Sequence, residues 1–275
     1  MKLWGMATHD IATGLGTLRV HVSGSGDPIL LMPSLLTDHT LYAAQVAHFS
    51  TSYTTIAVDP PGQGRSEPLR SAFTFEASAR AYLDVLDALG LPWAHLVGNS
   101  WGAMIGGTMS ATFPERVGCA VLLNGTASGG PRWDRLQLAL AARMTRLAGR
   151  PLFVRSTVVP RFLGKTTRRQ RPDLVDGLVT MIRRNDARSA SFAVESIVVR
   201  RPDQHALFGH IAVPTLVVAG REDASFPVAE VRRMAEAIPG SELVVLDRIG
   251  HLAAYEAPDT VNALIDDFLD RHRRQ

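Results

Sequence analysis

A chain of 275 residues, 46% hydrophobic and 20% charged, is long enough for one sizeable core, short for two independent domains, and too apolar for long disordered tracts. Residues 1–10 carry one lysine and no continuous apolar stretch, and no later run approaches membrane-spanning length, so the expectation is a cytoplasmic protein with no membrane segment. Sixteen basic side chains face six acidic ones over residues 130–210, a net +10 that leaves −7 for the rest of a chain whose total is +3. That segment reads either as a solvated Arg-rich helical surface or as a field that draws an anionic ligand or an acidic partner; nucleic acid is not expected.

Short apolar runs alternate with helical patterns from Leu18 to Asn124. Residues 29–32, 54–59, 94–98 and 117–124 have the length and composition of buried strands, and their alternation with helices predicts a parallel sheet in an α/β fold. Tyr82, Val85, Leu86 and Leu89 recur at helical spacing, followed by Gly90 at a natural helix end. Cys119, the single cysteine, lies in the run 117–123 and reads as a small buried hydrophobe with no intramolecular disulfide partner.

From Gly130 the alternation stops. Prolines at 131, 151, 160, 172 and 202 punctuate helix-like segments such as Leu174, Val175, Leu178, Val179 and Ile182, which predicts a helical lid over 130–210 inserted between core segments 1–129 and 211–275. The α/β pattern resumes with a strand at 215–220, a helix near 228–238, a strand at 242–246, and a last helix placing Val261, Leu264, Ile265 and Phe268 on one face. The nine histidines are scattered along the chain, so neither a metal nor a cofactor is expected.

The strand 94–98 runs into Gly98-Asn99-Ser100-Trp101-Gly102 and then a helix-like stretch through Met109, the context of a nucleophile elbow. The glycines matter because side chains there would clash in a strand-to-helix turn tight enough to lift Ser100 above the sheet. A serine hydroxyl is a poor nucleophile at neutral pH and needs a base and an acid to orient that base. His251, just past the strand 242–246, and Asp223, just past 215–220, supply both in the chain order Ser, Asp, His. Glu222 and Asp247 read as solvated loop or strand-end acids, and Asn124 has no carboxylate to offer. Donors for a tetrahedral oxyanion are expected from the backbone N–H groups of Trp101 and of Leu35, in the loop after 29–32. By composition alone, 33–38 is also an ordinary polar turn.

Four segments together, 31–38 (Leu-Met-Pro-Ser-Leu-Leu-Thr-Asp), 59–66 (Asp-Pro-Pro-Gly-Gln-Gly-Arg-Ser), 98–102, and 213–227 followed by Gly250-His251, resemble the α/β-hydrolase fold superfamily. The resemblance implies a mostly parallel twisted sheet flanked by helices with an inserted helical lid, and makes Asp59 the brace of a structural turn. Within the superfamily, residues 34–38 and 251–256 are most similar to oxoadipate enol-lactonases and related small esterases. Pro33-Ser34 stands where relatives have His-Gly, and a tryptophan after the serine, as in Trp101, is also found in proline iminopeptidases.

The implied activity is hydrolysis of a small-molecule ester or lactone, anionic if the basic lid matters. Carbon–carbon bond hydrolysis is an alternative, although such relatives commonly carry Trp where Leu252 follows His251. A thioesterase or methylesterase docking an acidic carrier protein is another. The chain could also be a ligand-binding protein that keeps the fold for its pocket.

Overall fold

The four apolar runs of the first half lie side by side at the centre of one eight-stranded sheet. In the computed structural model, which describes residues 4–130 and 154–272, these are β3 (Pro28–Met32), β4 (Thr54–Val58), β5 (Ala94–Asn99) and β6 (Val117–Leu123), preceded by β1 (Trp4–Thr13) and β2 (Gly16–Gly24) and followed by β7 (Thr215–Gly220) and β8 (Glu242–Leu246). The strand order is β1-β2-β4-β3-β5-β6-β7-β8, parallel from β4 to β8.

Every residue of β3 to β7 is buried, because helices cover both faces of the sheet; that is why these strands read as continuous apolar runs. Leu30, Met32, Ile56 and Leu96 pack on one face with Tyr82 and Leu86 of α2 (Phe75–Leu89) and Met104 and Ile105 of α3 (Trp101–Thr112). Ile29, Leu31, Ala57 and Val97 pack on the other with Phe49 of α1 (Ala43–Phe49) and with Ile265 and Phe268 of the last helix, Pro258–Arg271. Cys119 belongs to this second core.

The apolar pattern does not mark β1 or the start of β2. Both are antiparallel, β1 to β2 and β2 to β4; in β2 only Leu18, Val20 and Val22 turn fully inward with Ser23 beside them, and one-sided burial leaves a weaker, alternating signal.

Between β6 and β7 the described chain is helical: α4 (Val159–Phe162), α5 (Lys165–Gln170), α6 (Pro172–Arg184), α7 (Ala187–Val194) and α8 (His205–Phe208). The expectations for 131–153, Pro131 and Pro151 included, and for both chain ends, lie outside the described residues. In α6, Val175, Leu178, Val179 and Ile182 are buried against the second core, and Pro172 opens the helix at a position where its missing N–H costs nothing. Three buried polar side chains fasten this insertion to the loops at the carboxyl ends of the strands. Asn185 donates to Leu36 O and accepts from Gly64 N–H, both at 3.0 Å. Ser189 donates to Gly62 O (2.7 Å) and accepts from Leu69 N–H (2.9 Å). Ser196 accepts from Phe73 N–H at 2.8 Å. The remaining helices are α9 (Val228–Ala237), α10 (Ala253–Glu256) and α11 (Pro258–Arg271). No helix among the described residues is long and apolar enough to cross a membrane.

Candidate active site

Ser100 sits between β5 and α3 with φ 56° and ψ −108°, a conformation that costs a non-glycine residue about 1–3 kcal/mol and persists only where its surroundings over-determine it. They do so here by backbone contact. A Cβ on Gly102 would lie 1.9 Å from Met32 O, and one on Gly98 would lie 2.3 Å from Gly102 C and O. Ser100 N–H donates to Leu123 O at 2.8 Å, tying the turn to β6.

The turn brings Ser100 Oγ within 2.7 Å of His251 Nε2, and His251 Nδ1 lies 2.8 Å from Asp223 Oδ2. All three residues are buried, between 2% and 5% exposed. Asp223 is held on both oxygens: Ser225 and Phe226 N–H donate to Oδ1 at 2.7 and 2.9 Å, and Asn124 Nδ2 donates to Oδ2 at 3.0 Å. With both partners of one oxygen fixed as N–H donors, an ionised carboxylate fits, and an N–H on His251 Nδ1 leaves Nε2 to accept from the serine. The rings of Phe162 and Phe226 flank the imidazole at 5.5 and 5.2 Å. This is an arrangement able to move the serine proton to the imidazole while the carboxylate steadies the cation that forms.

A family model described as alpha/beta hydrolase fold matches residues 27–258. The chain belongs to the α/β-hydrolase fold family. It is similar to a 2-hydroxy-6-oxononadienedioate/2-hydroxy-6-oxononatrienedioate hydrolase of Escherichia coli, 29% identical with 93% of this chain and 92% of that one covered. Among solved structures it is similar to a thermophilic esterase from Thermogutta terrifontis, with TM-score 0.90, 26% identity, and 98% and 100% of the two chains covered. It is also similar to the enol-lactonase from Burkholderia xenovorans, with TM-score 0.87, 25% identity, and 95% and 100% covered.

As in an α/β hydrolase generally, the loops after adjacent parallel strands gather at one end of the sheet. Met32 pairs with Gly98 in register, so the loop carrying Leu35 and the turn carrying Trp101 emerge side by side. Trp101 opens α3, where first-turn N–H groups have no partner inside the helix. Leu35 is buried, and Leu36 after it takes φ 65°. The Trp101 ring is fully buried, with its centroid 5.7 Å from that of Phe73, which makes it a wall of the first core.

Three residues contribute more than their place in the sequence suggests. Asn124, set aside for lacking a carboxylate, bridges the site through Nδ2, donating to Gly250 O (3.0 Å) as well as to Asp223. Asn99 donates from Nδ2 to His251 O at 2.9 Å. Glu222, expected to be a solvated acid, accepts from Thr166 N–H and Oγ1–H at 2.7 and 2.8 Å; burial pushes its carboxyl up, but these bonds and nearby Lys165 and Arg168 hold it below its usual range. Asp247 is exposed and paired with Arg221.

The scattered histidines do not all stay apart. His21, His39 and Asp59 offer ligand atoms within 4.8 Å of one another, because β2, β4 and β3 are neighbours in the sheet. Asp59 accepts from His39 N–H (2.9 Å), His39 Nδ1 (2.6 Å) and Arg65 N–H (2.8 Å). Burial pushes its carboxyl up, yet the His39 and Arg65 bonds outweigh this and hold it below the ordinary value. With the His21 and His39 rings stacked at 3.7 Å, the cluster is explained as a brace for the loops at 33–39 and 59–66.

Proposed function

We propose that the protein is a serine hydrolase of carboxylic esters or lactones, with Ser100 as nucleophile, His251 as general base and acid, and Asp223 as its orienting carboxylate. One observation carries the reading: a continuous chain of contacts, 2.7 and 2.8 Å long, from the serine oxygen through both imidazole nitrogens to a fixed carboxylate. His251 takes the Ser100 proton as the oxygen attacks the carbonyl, and returns it to the leaving alkoxide. Water then attacks the acyl-enzyme with the same base, which restores Ser100. Trp101 and Leu35 N–H groups stabilise the oxyanion, each worth on the order of 100- to 1,000-fold in rate. No cofactor enters these steps.

Likeness to an esterase and to an enol-lactonase over nearly the whole chain supports the ester and lactone assignment. In this reading the helical insertion is the lid, and its excess of arginine favours an anionic substrate. Arg184 lies 3.7 Å from Asp38 in the loop that carries Leu35, and Arg201 lies over the Phe226 ring that flanks His251.

The test is turnover of short p-nitrophenyl esters and small lactones by the wild type and by Ser100→Ala. The expected result is turnover that falls by up to about a million-fold in the variant. Equal turnover by both proteins, or none by either, contradicts the assignment.

A second reading, hydrolysis of a carbon–carbon bond beside a ketone, is favoured by the Escherichia coli relative. It begins with the same attack but expels carbon, so its substrate must carry an electron sink beside the bond that breaks. Leu252 in place of the tryptophan common in such enzymes weighs against it. Turnover of 2-hydroxy-6-oxononadienedioate faster than of any ester or lactone selects it.

A further inference from the structure

His251 is carried on a loop that the sheet alone does not hold. The three successive N–H groups of 250–252 all find their acceptors outside β8. Gly250 N–H and Leu252 N–H donate to the Glu256 carboxylate, at 3.2 Å each. His251 N–H donates to Phe162 O of the insertion at 3.1 Å. Glu256, in α10 and only 8% exposed, does not stop there: its Oε2 also accepts from Gly164 N–H at 2.9 Å and Thr167 Oγ1–H at 2.5 Å. One buried carboxylate therefore links the residues on either side of His251 to the α4–α5 turn at Gly164 and to the first turn of α5 at Thr167.

The backbones themselves are in contact here. A Cβ on Gly250 would lie 2.1 Å from Gly164 N, so only glycine fits beside the histidine. The acid next to the other member of the chain, Glu222, grips the same turn through Thr166. Three of the four partners of Glu256 are N–H groups, which can only donate, so its oxygens serve them as acceptors; burial pushes its carboxyl above the ordinary value, and these same bonds pull against that.

We propose that Glu256 is a positioning residue that latches the insertion to the His251 loop, so that the placement of the imidazole depends on the turn 164–167. This rests on the reading of His251 as the base. The latch makes the insertion part of the catalytic geometry as well as a cover for it, because a displacement of about 1 Å in a base can cost roughly 100-fold in rate.

The experiment compares Glu256→Gln and Thr167→Val with the wild type in ester kinetics and amide hydrogen exchange. Gln keeps the shape but leaves one oxygen for four donors; kcat is expected to fall about 10- to 100-fold, with KM changed by less than about threefold. Val at 167 removes only the insertion's hydroxyl, whose partner is Glu256; kcat is expected to fall about three- to tenfold, with exchange rising in 249–253 as well as in 162–168. The double variant should be no worse than Glu256→Gln alone.

Exchange that rises in 162–168 only, wild-type kcat in Thr167→Val, or losses that multiply in the double variant overturn the latch. If Glu256→Gln does not fold, Thr167→Val decides by itself. Ser100→Ala with undiminished turnover would overturn the reading of the site instead, and the exchange data would still show whether the insertion and the His251 loop open together.

Discussion

The sheet and the helical insertion are held in different ways. Around Ser100 the restraint is steric and backbone-borne: the elbow leans on Met32 O with no room for a methyl group, between strands buried along their whole length. The insertion adds an apolar seam along α6, but its grip on the loops at the candidate site is a small set of polar side chains, Asn185, Ser189, Ser196, Glu222 and Glu256. Around Ser100 the packing leaves no room for change, whereas a handful of hydrogen bonds, each worth about 0.5–3 kcal/mol, keeps the insertion in register with the site.

Breaking the sheet side should have the larger effect. His251→Ala is expected to lower kcat by about 10,000-fold or more, and Asp223→Asn by about 10,000-fold, with little change in the unfolding midpoint; steady-state ester kinetics and a melting curve check both. Gly102→Ala forces a methyl onto Met32 O, and denaturant unfolding should show a loss of about 3 kcal/mol or more together with lost activity. On the insertion side, Asn185→Ala removes the bridge between Leu36 O and Gly64 N–H. It should cost about 1–3 kcal/mol and raise KM, leaving the reaction of Ser100 with a small fluorophosphonate close to wild type. An effect on that reaction as large as on KM would erase the contrast between the two regions.

The smallest effect is one of pH. The Asp59 carboxyl is held below its ordinary value of 3.8. Its contribution to stability is therefore present above that value and lost as pH falls through the depressed one. Acid unfolding of Asp59→Asn should begin from a lower plateau and fall less steeply than that of the wild type; identical acid limbs would remove Asp59 from the brace.

The contrast also explains what could be read in the chain. The central strands were legible because two-sided burial writes an unbroken apolar run, and the elbow because its glycines sit between a strand and a helix. β1 and β2 left little trace, one face being open. Contacts such as Asn124 with Asp223 or Glu256 with Gly164, made across 99 and 92 residues, have no local period to betray them. The one available signal was the residue type: an amide ending the apolar strand 117–123, and an acid in the otherwise apolar stretch after His251.

The proposed reaction requires that Ser100 form a covalent acyl-enzyme with the help of His251. The most direct measurement is the intact mass of wild-type protein quenched in acid during turnover of a p-nitrophenyl ester, followed by peptide mapping. A mass increase equal to the acyl group is expected, located on the peptide containing Ser100 and absent from Ser100→Ala. An acyl group on another residue, or the same increase in Ser100→Ala, would contradict it.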